Sequence, residues 1–139
     1  MRYSYLLLLL LCLPLSFLFS QNTTYHLDTA YSYLGVTEKT GNNDGKQVEI
    51  FLKSVGRKKG DSWCAAFVSY CLTVSGVIDP KTRSGLARDF ATKTDKRLVI
   101  KATDVILKKY KVVKGDLVVW QKGETVFGHI GMTTEDWNA

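Results

Sequence analysis

An α+β fold is predicted by the order in which two kinds of pattern occur along the chain. Apolar residues at helical spacing fill the stretch before residue 77, and β-rich runs come only after residue 116. Helices gathered ahead of strands belong to an α+β architecture; an α/β sheet would need the two to alternate. No repeat, low-complexity tract or internal linker divides residues 21–139, and a chain of 139 residues supports one domain with one modest core.

The elements follow in order. Leu27, Ala30, Tyr31 and Leu34 fall at i, i+3, i+4 and i+7, one face of a first helix that Gly35 would end. Val36 to Gly45, with Gly41, Asn42, Asn43, Asp44 and Gly45, reads as a loop. Val48, Phe51, Leu52 and Val55 repeat the helical spacing, with Asn43 or Asp44 as the expected cap and Gly56 as the stop. After the basic turn Arg57 to Gly60 comes the densest apolar segment, Trp63 to Ser75, closed by Gly76. Asp61 or Ser62 is its expected N-cap, and Cys64, Phe67, Val68, Cys71 and Leu72 share a face. Asp79-Pro80 marks a turn, Ser84 to Ala91 a short helix, Thr92 to Arg97 an exposed polar stretch, and Asp104 to Lys109 a further helical turn. Leu117 to Trp120 and Val126 to Thr133 are the two strand candidates.

The first twenty residues stand apart. Arg2, the apolar run Leu6 to Leu11 continued by Leu13 to Phe19, and small Ser20 before Gln21 have the layout of a secretory signal peptide. Pro14 and Ser16 interrupt a stretch already short for a membrane span, which needs about 20 apolar residues. The mature chain is then residues 21–139, exported, with no membrane segment after the leader. The formal net charge of +6 favours anionic surroundings such as wall polymers, lipid head groups or nucleic acid, and does not choose among them.

Cys12 leaves with the leader, so Cys64 and Cys71 remain. Seven positions on a helix separate Cα atoms by about 10 Å, too far for a disulfide, which needs roughly 4.4–6.8 Å. Two thiols of an exported protein that cannot pair with each other invite another role for one of them. Thiol catalysis requires an activated Cys, a His within reach, and a group that orients the His. Cys64 sits in the first turn of the third helix, where free N–H groups and the helix dipole favour a thiolate. Cys71 lies two turns deeper and reads as core. Of the two histidines, His26 reads as exposed and structural, near the mature N-terminus. His129, between Gly128 and Gly131 in a predicted strand, has room around it for another backbone or a ligand. Two histidines without metal-ligand spacing give no metal site, and no cofactor is expected.

Asp61-Ser62-Trp63-Cys64-Ala65-Ala66-Phe67-Val68, followed by Gly115-Asp116-Leu117-Val118-Val119-Trp120 and Gly128-His129-Ile130-Gly131, resembles the CHAP and NlpC/P60 cell-wall hydrolases. It is most similar to the CHAP-like group with a Trp-Cys-Ala-Ala-Phe core. The likeness runs from about Leu34 to Met132 and includes the Glu38–Asn43 loop and the Arg83–Phe90 stretch. It implies a papain-like domain whose Cys helix packs on a small antiparallel sheet carrying the His. It also implies hydrolysis of an amide bond in peptidoglycan, as an N-acetylmuramoyl-L-alanine amidase or a peptide endopeptidase, in a secreted or periplasmic bacterial protein. The partner is peptidoglycan; nucleic acid and membrane are not. Cys64 is then the nucleophile and His129 the base, the Cys64 N–H contributes to an oxyanion hole, and Trp63 and Asp61 are further candidates beside them.

The family places the residue that orients the His on the strand after the His strand. This sequence stops soon after His129, so the C-terminal strands and the third catalytic residue are expected to be missing, with Glu135, Asp136 and Asn138 as weak substitutes. A non-catalytic wall-binding protein on the same fold, and an antibacterial effector using the same chemistry, are the competing readings.

Overall fold

A computed structural model describes residues 24–78, 83–92, 98–125 and 127–137. The leader, the Asp79-Pro80 turn, residues 93–97 and Asn138 lie outside the described residues. Helices α1 (Tyr25–Tyr31), α2 (Lys46–Ser54) and α3 (Cys64–Val74) come first. A 3-10 helix (Ala87–Ala91), the short α4 (Ala102–Ile106) and strands β1 (Leu117–Gln121) and β2 (Gly128–Met132) follow. The fold is α+β: the N-terminal helices pack against a two-stranded antiparallel sheet with an open edge.

Two apolar clusters meet along α3, which is why its sequence is apolar on nearly every side. Ala65, Val68 and Leu72 face the sheet and share a core with Ala87, Phe90 and Ile130. Ala66 turns the other way, into a core with Val48, Phe51 and Leu52 of α2. Aromatic rings thicken that second core. Tyr33 meets Phe51 edge-to-face at 5.1 Å, and Phe51 stacks with Trp63 at 6.0 Å and 18°. Buried Ser69 interrupts the apolar surface for a reason: its hydroxyl donates to the Ser84 carbonyl at 2.7 Å and accepts the Ser84 N–H at 3.0 Å. That clamp docks the segment leading to the 3-10 helix onto α3.

The predicted stops of α2 and α3 operate as expected, whereas α1 closes at Tyr31, four residues before Gly35. After α2, the Gly56 N–H bonds the Lys53 carbonyl and the Arg57 N–H reaches back to Leu52; after α3, Gly76 and Val77 repeat the pattern on Thr73 and Leu72. Each is a Schellman closure, with glycine in the left-handed conformation it requires.

The caps differ from expectation. Neither Asn43 nor Asp44 caps α2, whose N-cap is Gly45. The Asp44 carboxylate instead turns back into its own loop, accepting the Thr40 N–H at 2.9 Å and the Thr40 hydroxyl at 3.0 Å, so it is no longer available to the helix. Helix α2 has no side-chain cap; Glu49 reaches back only to the N–H of Gly45 itself, at 3.2 Å. Likewise α3 starts from Trp63 without a side-chain cap, because Asp61 accepts the Lys58 N–H at 3.0 Å and closes the preceding turn.

Helix α1 is shorter than its apolar spacing suggested. It ends at Tyr31, and Tyr33 rather than Leu34 anchors the exit; Leu34 is 78% exposed. The 3-10 geometry of Ala87–Ala91 replaces the predicted short helix, and the later helical turn falls at Ala102–Ile106, earlier than predicted. His26 is the clearest correction. It is buried, and its Nε2 donates to the Gly115 carbonyl at 2.7 Å, tying α1 to the turn that leads into β1. A carbonyl only accepts, so the ring carries its proton on Nε2.

The hairpin pairs Leu117 with Met132, Val119 with Ile130 and Trp120 with His129. Alternation then sorts the faces: Leu117, Val119, Ile130 and Met132 join the α3 core, while Trp120 and His129 share the outer face. Gly128 is required by proximity, since a Cβ there would collide with the Trp120 carbonyl oxygen.

Asp44 carries a pH dependence. The Thr40 N–H hydrogen bond, opposed by burial and helped by the Thr40 hydroxyl and the Lys59 ammonium, holds its carboxyl below the usual 3.8. The fold thus favours the charged form, and this stabilisation is complete above the ordinary carboxylate range and is lost as pH falls through the lower folded-state value. The melting temperature of the native chain is expected to drop on acidification below about pH 4, and Asp44→Asn to remove part of that drop. Thermal melts of both proteins across the acid range check this; parallel curves would contradict it.

Candidate active site

The position of Cys64 follows from how α3 begins. Trp63 is the N-cap and the Phe67 N–H bonds the Trp63 carbonyl at 2.8 Å, so Cys64 is the first helical residue. The lack of a side-chain cap leaves the donors of this first turn unclaimed by protein side chains, and such donors favour negative charge beside them. Cys64 is half-buried, whereas Cys71 is fully buried on the same helix; both are free thiols. Burial pushes the Cys71 thiol up to about 12, which leaves it protonated and inert at neutral pH.

His129 is exposed on the outer face of β2, with its ring 5.8 Å from that of Trp120. It borders the same cleft as Cys64. This cleft, about 630 Å³, runs between α1, the start of α3 and β2. Its β2 wall is the open edge of the sheet. Lys122 bonds Phe127 and Thr133 bonds Asp116 across the hairpin, so the alternate residues Gly128, Ile130 and Met132 aim their backbone groups away from β1, toward the open side. Among the described residues no hydrogen bond links Cys64 to His129, and no side chain hydrogen-bonds the His129 ring. Catalytic hydrogen bonds are commonly long before substrate binds, so the shared cleft is the more informative observation.

The other candidates fall in different places. Trp63 lines the cleft next to Cys64, its indole Nε1 donating to Glu38 Oε1 at 2.9 Å. The second oxygen of Glu38 accepts the Asn43 N–H at 2.8 Å. Glu38 therefore locks Trp63 and the loop before α2 in one bidentate arrangement. Residue-by-residue reading missed this, because nothing local announces a partner 25 positions away. Asp61 is occupied with the Lys58 turn. Asp136 is held by the Lys114 N–H at 2.9 Å and the Lys111 ammonium at 3.1 Å, which together keep its carboxyl below the usual range. Those contacts place it at the Lys111–Lys114 segment, away from His129. Glu135 is exposed. Among the described residues no cluster of three or more His, Cys, Asp or Glu side chains forms a metal site.

Cys64 at the start of α3 and His129 on β2 thus border one cleft of an α+β domain. The CHAP domain family matches residues 56–138, and the chain belongs to that family. Membership supports a general cysteine-hydrolase function. No curated protein and no solved structure matches the chain.

The two thiols should separate sharply in reactivity. At pH 7 a thiol with a value near 12 is ionised to about one part in 10⁵, so iodoacetamide should modify Cys64 at least about 100-fold faster than Cys71. Peptide mass mapping after timed alkylation measures this. Equal slow labelling of both would show that the start of α3 confers no activation.

Proposed function

We propose that this protein is a secreted bacterial hydrolase of peptidoglycan that cleaves an amide bond with Cys64 as nucleophile and His129 as general base. One observation carries the reading: Cys64, at the uncapped start of α3, and His129, on β2, border a single cleft. Family membership and the leader-like first twenty residues support it. No helix among the described residues is long and apolar enough to cross a membrane. The positive net charge suits a wall polymer rich in carboxylates.

In the reaction, the Cys64 thiol gives its proton to the His129 imidazole and the sulfur attacks the amide carbonyl carbon. The carbonyl oxygen becomes an oxyanion beside the backbone N–H of Cys64, a donor fixed in place before the charge develops. His129 then protonates the leaving nitrogen, and the C–N bond breaks to leave a thioester. Water, deprotonated by His129, attacks the thioester and regenerates the thiol. Trp63, anchored by Glu38, walls the cleft next to the nucleophile and restricts how a carbonyl can approach it.

One observation favours a second reading. The described residues supply no orienting hydrogen bond to the His129 ring, as a wall-binding protein that had lost its chemistry would show. Digestion of purified peptidoglycan decides between them. The native chain should release soluble fragments, Cys64→Ala should release none, and His129→Ala should slow release by about 10²–10⁴-fold. Release by Cys64→Ala at the native rate would eliminate the thiol mechanism. Binding to the wall without release by the native chain would establish the second reading.

A further inference from the structure

Two depressions meet at His129. One is the cleft that holds Cys64. The other is a shallow depression of about 420 Å³ on the outer face of the hairpin, lined by Trp120, Gln121, Lys122, Phe127, Gly128 and His129. Single exposed apolar residues are ordinary, but this surface gathers two large aromatics at one end of the hairpin. Trp120 is 56% exposed and Phe127 69% exposed. Trp120 pairs across the strands with His129, and its ring borders Gly131, where a Cβ would stand in ordinary contact with it at 3.9 Å. Gln121 and Lys122 supply an amide and an ammonium at the rim of the same depression.

This is the chemistry of a sugar subsite. The C–H face of a pyranose carries partial positive charge and meets the negative face of an aromatic ring, while an amide and an ammonium meet hydroxyl, acetamido and carboxylate oxygens. A single strand of nucleic acid would also stack on aromatic rings, but its binding depends on a groove of several cations that follows the phosphates. Among the described residues, Lys122 is the one Lys or Arg lining this depression.

We propose that Trp120, with Phe127, Gln121 and Lys122 beside it, binds a sugar ring of the peptidoglycan glycan strand. This rests on the hydrolase reading and deepens it. With a sugar on the outer face of the hairpin and peptide in the cleft, the bond brought to His129 and Cys64 is the amide that joins the two. The reaction is then N-acetylmuramoyl-L-alanine amide hydrolysis rather than cleavage within the peptide.

The test separates binding from turnover. The Cys64→Ala chain is titrated calorimetrically with a peptide-free oligomer of N-acetylglucosamine. Saturable binding is expected, weakened at least about tenfold by adding Trp120→Ala and much less by Trp120→Phe, which keeps an aromatic face and guards against a folding defect. Absence of saturable binding, equal binding by the Trp120→Ala chain, or equally tight Trp120-dependent binding of single-stranded DNA would overturn the sugar subsite. Mass analysis of products from the native chain tests the bond: free stem peptides with an alanine amino terminus are expected, and fragments cut only within the peptide would overturn the placement. Because binding needs no turnover, a catalytically dead native chain leaves the titration decisive, and a failed titration leaves the hydrolase reading standing.

Discussion

The seam between α3 and β2 fixes everything around it. Ile130 is 3% exposed and shares a core with Ala65, Val68 and Leu72. Each proposed chemical residue lies one position along the chain from a buried member of that seam: Cys64 precedes Ala65, and His129 precedes Ile130. Burying one such aliphatic side chain stabilises the fold by about 1.5–3 kcal/mol, so neither backbone can slide without losing core packing. The cleft is thus a consequence of core packing. It opens where α3 begins and β2 offers its free edge.

Much around the seam holds it square. Ser69 clamps the Ser84 segment to α3, and His26 ties α1 to the Gly115 turn at the entry to β1. Glu38 does the same beside Cys64, joining Trp63 to the loop before α2 through both carboxylate oxygens. Each of these polar side chains is at least partly buried and makes a hydrogen bond to a residue 15 or more positions away in sequence. Such placement adds directional ties between elements to the apolar packing of a small domain.

What the sequence made legible was local. The density of apolar residues between Trp63 and Ser75, with Gly76 behind it, specifies α3, and the β-branched run before Trp120 specifies β1. Cys64 was recognisable because a first-turn position is a property of one helix. The failures were nonlocal or competitive. Position near the mature N-terminus predicts an exposed His26, whereas its partner, Gly115, lies 89 positions away. Spacing predicts Asp44 and Asp61 as helix caps, and nothing in it shows that Thr40 and Lys58 claim them first. Leu34 carried the helical period but fell beyond the last turn of α1. In the site, the shared cleft of Cys64 and His129 and the aromatic face of Trp120 depend on tertiary packing that no spacing encodes.

The central claim is that Cys64 and His129 act as a coupled pair because the α3–β2 seam holds them over one cleft. The most direct measurement is the alkylation rate of Cys64 at neutral pH in the native chain and in His129→Ala, with far-ultraviolet circular dichroism to verify that both are folded. Coupling predicts a rate at least about tenfold lower without the histidine. An unchanged rate in a folded variant would show that the two residues share a cleft without sharing a proton.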